Sequence, residues 1–343
     1  MVVAGALVQP HWVPAEEFRS RLTLLSTLRD LDVADEILPK PEGALPKDLA
    51  HDRWLLMQPG LKDAGVAPGA LSAVRRVAPF DEALSGWLLE PVHFHLAKDH
   101  LVLVAGAAHG LNLGEARQLA EAIQPLLAQE ACTVTVLSPD LWLLDCAQRP
   151  FQLESASPEA AAGRNVQGYL PAGAHALRYR KLLNEIQMTW HEHRVNQDRE
   201  AQGEPAINSV WLSGPVAPTA LAAWNEGLKA GRYQVEDSLL APRLHDDRFA
   251  WLDALMALDA RLHEWLSAVS PPAILLCGDN AARWLHRRSG ATPAPGRGFV
   301  SRIAGMARRL GLLAPGRADG APARHDGRGA AGDGLVRMFT ERP

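Results

Sequence analysis

Gly86-Trp-Leu-Leu-Glu-Pro-Val-His-Phe-His-Leu96 and His100-Leu-Val-Leu-Val104 are two apolar, partly alternating runs separated by a turn at Lys98-Asp99. Side chains on a strand repeat every second residue, so this pattern predicts a β-hairpin. Downstream, Asn112 stands where an N-cap belongs. Ala116, Leu119, Ala120, Ile123, Leu126 and Leu127 then recur at helical offsets and predict one apolar face on an amphipathic helix. Cys132–Leu137 and Leu141–Asp145 read as two more strands around Ser138-Pro139-Asp140. The stretch 84–146 is therefore expected to form a β-β-α-β-β module.

Working outward, Val2–Val8 reads as a buried strand, followed beyond Pro14 by a helix through Phe18, Leu22, Leu25 and Leu28. Residues 39–69 are broken by five prolines and leave room for a short helix over Asp48–Met57, with Asp48 near its N-cap. On the C-terminal side, Leu182, Leu183, Ile186 and Trp190 mark a long helix, and Asn208–Leu212 a buried strand. Helices over Ala217–Gly227 and Asp246–Ser267 follow. Ala273–Cys277 reads as a last strand, leading past Asp279 into a helix. Strands alternating with helices predict an α/β protein with a mainly parallel sheet and flanking helices. The expected organisation is an N-terminal lobe over 1–150, a C-terminal lobe over 174–288 and a low-complexity tail over 289–343. That tail holds eleven Gly and nine Arg against four acids and no Lys, so it is locally basic and expected to be largely disordered. Within it Phe299–Leu313 has the pattern of a basic amphipathic helix that could reach a protein partner.

The chain of 343 residues is 47% hydrophobic and 22% charged, with a net charge of -4, which gives no global basic field for nucleic acid. No apolar run approaches the ~18 residues of a membrane span. Cys132, Cys146 and Cys277 are odd in number and lack a C-x-x-C pair, which argues against disulfide and zinc-finger frameworks and for a reducing, cytoplasmic setting.

Candidate chemistry is sparse. His93 and His95 share one face of the predicted strand, with His100 across the hairpin, but no carboxylate or thiolate accompanies them. His191-Glu192-His193 has a spacing of two where a zinc helix needs four. Gly327-Arg-Gly-Ala-Ala-Gly332 matches a dinucleotide fingerprint in letters only, with no strand before it. There is no nucleophile elbow and no phosphate-binding P-loop. No metal site or cofactor is expected, and the catalytic residues, if any, stay unassigned.

Between the long helix and the strand lies Asn196-Gln-Asp-Arg-Glu-Ala-Gln-Gly-Glu-Pro-Ala-Ile-Asn-Ser-Val-Trp-Leu-Ser-Gly214. Amides supply donors and Arg a bidentate fork, so Asn196, Arg199 and Asn208 are the candidate residues for binding an anionic small molecule. The competing reading makes both amides turn-formers and pairs Arg199 with Glu200 or Glu204.

This text, with Leu182-Leu-Asn-Glu-Ile-Gln-Met188, Glu90-Pro-Val-His-Phe-His95 and Pro139-Asp-Leu-Trp142, resembles the RpfE-type regulatory proteins of proteobacteria over residues 80–280. Asn196–Gly214 is also similar to a stretch of archaeal-type cofactor-independent phosphoglycerate mutases. The first resemblance implies a regulatory or ligand-sensing role. The second implies, as the alternative, a divergent metal-dependent mutase or phosphotransferase acting on a small phosphorylated acid. Mutases of that kind need two metals held by Asp and His clusters and a Ser nucleophile. Here the first strand ends Ala6-Leu-Val-Gln9 without the expected Asp-Gly, and Ser213 stands where the family has Arg. His325-Asp326-Gly327 is similar to a metal-ligand run of the mutases but falls in the basic tail.

Overall fold

The computed structural model describes residues 1–8, 21, 31–36, 38, 45–81, 83–104, 110–268 and 273–287. The helix expected after Pro14 and everything expected of 289–343 lie outside these residues. The chain divides into two compact units: Met1–Glu36 with Glu236–Pro343, and the continuous stretch Ile37–Val235. Contacts thus group the N-terminal strand with the C-terminal segment, a different division from consecutive lobes meeting between 150 and 174.

The discontinuous unit is built on a five-stranded sheet, in the order β2 (Leu31–Glu36), β10 (Ala282–Arg287), β9 (Ala273–Cys277), β1 (Val2–Val3), β8 (Val235–Glu236). Strand β1 runs parallel to β9, with Val2 opposite Leu275, whereas β10 is antiparallel to both β9 and β2. The helix expected after Asp279 is therefore strand β10. Its mixed text, Ala-Arg-Trp-Leu-His-Arg, becomes a strand by pairing on both edges, a tertiary effect that local pattern does not carry. Helices α8 (Leu240–Leu244) and α9 (Arg248–Ala268) belong to this unit. Val3, Leu7, Trp251, Leu255, Leu262, Ile274 and Leu276 form its core, and the Trp251 indole donates to the Gly5 carbonyl at 2.8 Å. Gly5 has φ +70°, and a Cβ there would lie 2.7 Å from the Leu240 Cα, so only glycine fits.

The continuous unit is organised by the long strand β3 (Gly86–Leu96). Strand β4 (Leu101–Val104) pairs with residues 93–96, β6 (Leu141–Asp145) with 87–89, and β7 (Ser209–Val216) with 86–92, while β5 (Thr133–Ser138) pairs with β6. All four ladders are antiparallel, so the α/β class holds but the strand directions are mixed rather than mainly parallel. The expected β-β-α-β-β module is present, with helix α3 (Leu113–Gln129) between the hairpins. Asn112 caps it through a reciprocal capping box with Glu115, at 3.0 and 2.9 Å. The remaining helices are α1 (Ala50–Leu56), α2 (Leu71–Val77), α4 (Pro158–Ala161), α5 (Ala176–His191), α6 (Arg194–Ala201) and α7 (Pro218–Lys229). One core packs α3 and α5 on the sheet through Leu119, Ile123, Trp142, Ile186, Trp190 and Val210. Another gathers Val92, Phe94, Leu103, Ala156, Tyr169 and Trp211. Val210 and Trp211 enter different cores, as strand alternation requires.

Cys132 and Cys146 form a disulfide, with Cα atoms 4.3 Å apart, and Cys277 is a buried thiol outside it. This corrects the sequence expectation. Thr133 and Asp145 are the last ladder partners of β5 and β6, so the residues just beyond them face each other. An odd cysteine count leaves room for one such pair, and the cysteines give no argument for a reducing compartment. Among the described residues no helix is long and apolar enough to cross a membrane.

Candidate functional site

The segment 196–214 places its three candidate residues in different surroundings. Asn196 is buried on α6. Its amide nitrogen donates to the carbonyls of Trp190 and Ile207, both at 2.8 Å, and its oxygen accepts from the Ile207 N–H at 2.8 Å. Arg199 is buried too: Nε donates to the Pro205 carbonyl at 3.0 Å, and Nη1 meets Glu115 at 3.3 Å and Glu204 at 3.1 Å. Through Glu115 it ties α6 to the N-terminus of α3. Both residues spend these polar groups on the chain itself, which is the architectural alternative weighed for them above.

Asn208 differs. Its side-chain oxygen accepts from the Phe94 N–H at 2.7 Å and its nitrogen donates to the Phe94 carbonyl at 3.0 Å. The carboxamide thus occupies the place that one more peptide unit of β7 would take beside β3. Beyond it lies a shallow groove of about 350 Å³ lined by Phe94, Leu101, Gln187, Met188, His191 and Asn208. Met188 is 75% exposed, and Leu96 at the hairpin tip is 71% exposed. Leu96 lies opposite Leu101, while Ala97 donates its N–H to the His100 carbonyl. By strand alternation the Leu96 N–H and C=O therefore turn away from β4, to the edge where Asn208 meets Phe94.

The histidines do not converge. The rings of His93 and His95 lie 6.2 Å apart, but His93 Nδ1 is within 2.7 Å of the Ala206 carbonyl oxygen, and His95 faces Val102 in the ladder. His100 sits past the paired residues with Nδ1 on Asp99 at 2.7 Å. His191 ends α5, whereas His193 caps α6 by accepting from the Val195 N–H. Among the described residues no group of three His, Cys, Asp or Glu could hold a metal ion.

A second constellation escaped sequence reasoning altogether. Asp48, Asp52 and Glu90 are buried together with Ser72 and Ser213. Arg75 pairs with Asp52 at 2.8 Å. Arg76 grips Glu90 and reaches Asp140 at 3.5 Å. Ser213 donates to Glu90 at 3.2 Å, Ser72 donates to both oxygens of Glu159 at 2.9 Å, and the Gly69 N–H donates to Asp48 at 2.7 Å. Burial above all, then the neighbouring charge of Asp52, pushes the Asp48 carboxyl up to about 7 against the pull of the Gly69 N–H. Burial likewise raises Glu90 to about 7, opposed by Arg76 and assisted by Glu159. The one sequence signal was Glu90 itself, a charge in the middle of an otherwise apolar strand.

No protein-family model and no curated protein sequence matches the chain. Among solved structures it is similar to a cofactor-independent phosphoglycerate mutase from Thermoplasma acidophilum DSM 1728. The TM-score is 0.34 and the identity 14%, with 86% of this chain and 91% of that one covered. It is also similar to the PH0037 protein from Pyrococcus horikoshii, with a TM-score of 0.39 and 11% identity over 92% and 98% of the two chains. Likeness at this level carries no inference about activity.

Proposed function

We propose that the chain is a regulatory protein that acts by binding, and that it takes an extended, apolar segment of a partner protein in the groove beside Phe94. The observation that carries this reading is the carboxamide of Asn208 seated on the backbone of Phe94. The site already accommodates a peptide-like group in strand geometry, and the next edge groups belong to Leu96. Adding a strand at a sheet edge supplies main-chain hydrogen bonds, while pockets for alternate side chains supply selectivity. Met188, Leu101 and Leu96 provide the apolar contact. The role agrees with the regulatory family that Asn196–Gly214 resembles. Of the three candidate residues, Asn208 belongs to the site, while Asn196 fastens the entry to its strand and Arg199 ties α6 to α3.

A displayed library of random peptides, selected on the parent chain and on Leu101→Glu/Met188→Glu, tests this. Enrichment of apolar, extended sequences is expected on the parent, with affinity at least tenfold weaker in the double variant, about 1.4 kcal/mol. Equal binding to both would refute the groove. The alternative, a metal-dependent phosphotransferase, predicts turnover of 3-phosphoglycerate with added manganese at ~1 to 1000 per second. We expect none, because the first strand ends Ala6-Leu-Val-Gln9 without the Asp-Gly of the mutases and Ser213 stands where they have Arg. Turnover would reverse the assignment.

A further inference from the structure

The sheet of the continuous unit has a second edge that binding at the groove does not use. Strands β6 and β7 both pair with Leu88 and Leu89 of β3, so they lie on opposite sides of it, and Asn208 continues the β7 side. The outermost strand on the β6 side is β5, which pairs with β6 alone. In an antiparallel ladder every second residue turns its N–H and C=O toward the neighbouring strand, and the residues between turn theirs away. Among the described residues, the backbone of Thr133–Leu137 makes no hydrogen bond beyond the ladder to β6.

Proteins ordinarily protect such an edge with charged side chains, proline or a covering segment. The text Thr133-Val-Thr-Val-Leu-Ser138 has no charge, no proline and no glycine, and each of its residues is at least partly exposed. A register shift between Val136 and Ser138 leaves Thr133–Val136 as regular edge. The strand is also held in place. Val134 and Val136 pack against the core shared with α3, and the Cys132–Cys146 disulfide fastens the residue before β5 to the residue after β6.

These features suit a second copy of the same strand. A two-fold axis perpendicular to the sheet keeps each face on its own side, so residues an even number apart meet. A register centred on Thr135 places Thr135 opposite itself and Val134 opposite the second copy's Val136, which joins threonine to threonine on one face and valine to valine on the other. The charges at the two ends are already paired, Glu130 with Arg149 and Arg178, and Asp140 with Arg76. Asp145 stands on β6, one strand back from the edge. Self-pairing therefore sets no like charges opposite each other.

We propose that β5 is a self-association edge, through which two copies of this chain join their sheets antiparallel into one. The grooves stay free at the two outer edges of the joined sheet. A partner carrying two apolar segments would then be held by both at once, more tightly than by either alone. That consequence rests on the groove as the recognition site, whereas the dimer itself does not.

Sedimentation velocity of the full chain over a range of concentrations is the test, on the parent, Thr135→Lys and Thr135→Glu. Thr135 is exposed, so both variants should keep the parent's circular dichroism. A reversible dimer is expected for the parent. Each variant sets like charge against like charge at the centre of the junction and should weaken the dimer at least about tenfold. An equimolar mixture of the two should recover it, because lysine then faces glutamate, a result that general destabilisation does not give. A parent that stays monomeric through the high micromolar range, or a dimer that both variants retain, would overturn the proposal. Protection of β5 from amide exchange by a library peptide, in a chain that stays monomeric, would also overturn it and give the edge to another protein. Should the variants fail to fold, exchange in β5 of the parent replaces them: slowing with rising protein concentration supports the dimer, and no dependence contradicts it. Leu101→Glu/Met188→Glu should dimerise like the parent, so failure of the groove and failure of the edge are read separately.

Discussion

Arg199→Ala should cost about 3 kcal/mol of folding stability and leave binding at the groove unchanged once the chain is folded. Removing one member of a buried ion pair ordinarily costs about 3 to 5 kcal/mol, because the other charge is stranded. Here the partners Glu115 and Glu204 have side chains 21% and 48% exposed, so both recover water and the effect falls at the lower end. What remains is the void left by a large buried side chain, the unpaired Pro205 carbonyl and the lost tie between α6 and α3. Arg199→Lys should recover only part of this, since an ammonium cannot reproduce the guanidinium fork. Denaturant unfolding with and without a panel of phosphorylated acids gives the measurement. A mild loss, together with stabilisation of the parent by one of the acids that the variant lacks, would restore Arg199 as an anion-binding residue.

Asn196→Leu is expected to be comparably severe. The replacement nearly conserves volume, yet it strands the Ile207 carbonyl and N–H inside the unit, while the Trp190 carbonyl keeps the His193 N–H at 3.1 Å. Each buried group left unpaired costs about 1 to 3 kcal/mol, so a loss of about 2 kcal/mol or more follows. Because these bonds fasten the end of α5 and the entry to β7, the variant should also disturb the wall of the groove. Thermal unfolding reads the first effect. Parent-like stability would show that this amide is not the clasp between α5 and β7.

Much of the local architecture was legible because it rests on local physics. The capping box of Asn112 and Glu115, the apolar stripes of α3 and α5 and the alternation from Gly86 to Val104 each express one helix or one hairpin, and each is found. Strand β10 and its partner β2 were not legible, since Leu-Asp-Val-Ala-Asp-Glu and Ala-Arg-Trp-Leu-His-Arg acquire strand character from each other across some 250 residues of chain. Asp48 and Asp52 stand four apart, with Arg75 and Arg76 adjacent, a spacing that equally describes a solvated helix face. Only packing turns them inward. For the proposed site, residue type alone could not tell Asn208, whose amide meets Phe94 and lines the groove, from Asn196, whose amide is buried against Trp190 and Ile207.

The most direct measurement is hydrogen exchange on the parent chain, alone and with a peptide selected from the library. Binding in the groove predicts slowed exchange at the hairpin tip around Leu96 and at the end of α5 from Gln187 to His191, with α1 and α2 unaffected. Protection confined to the acid cluster around Asp48 and Glu90, with the hairpin tip unchanged, would contradict the assignment of the groove as the recognition site.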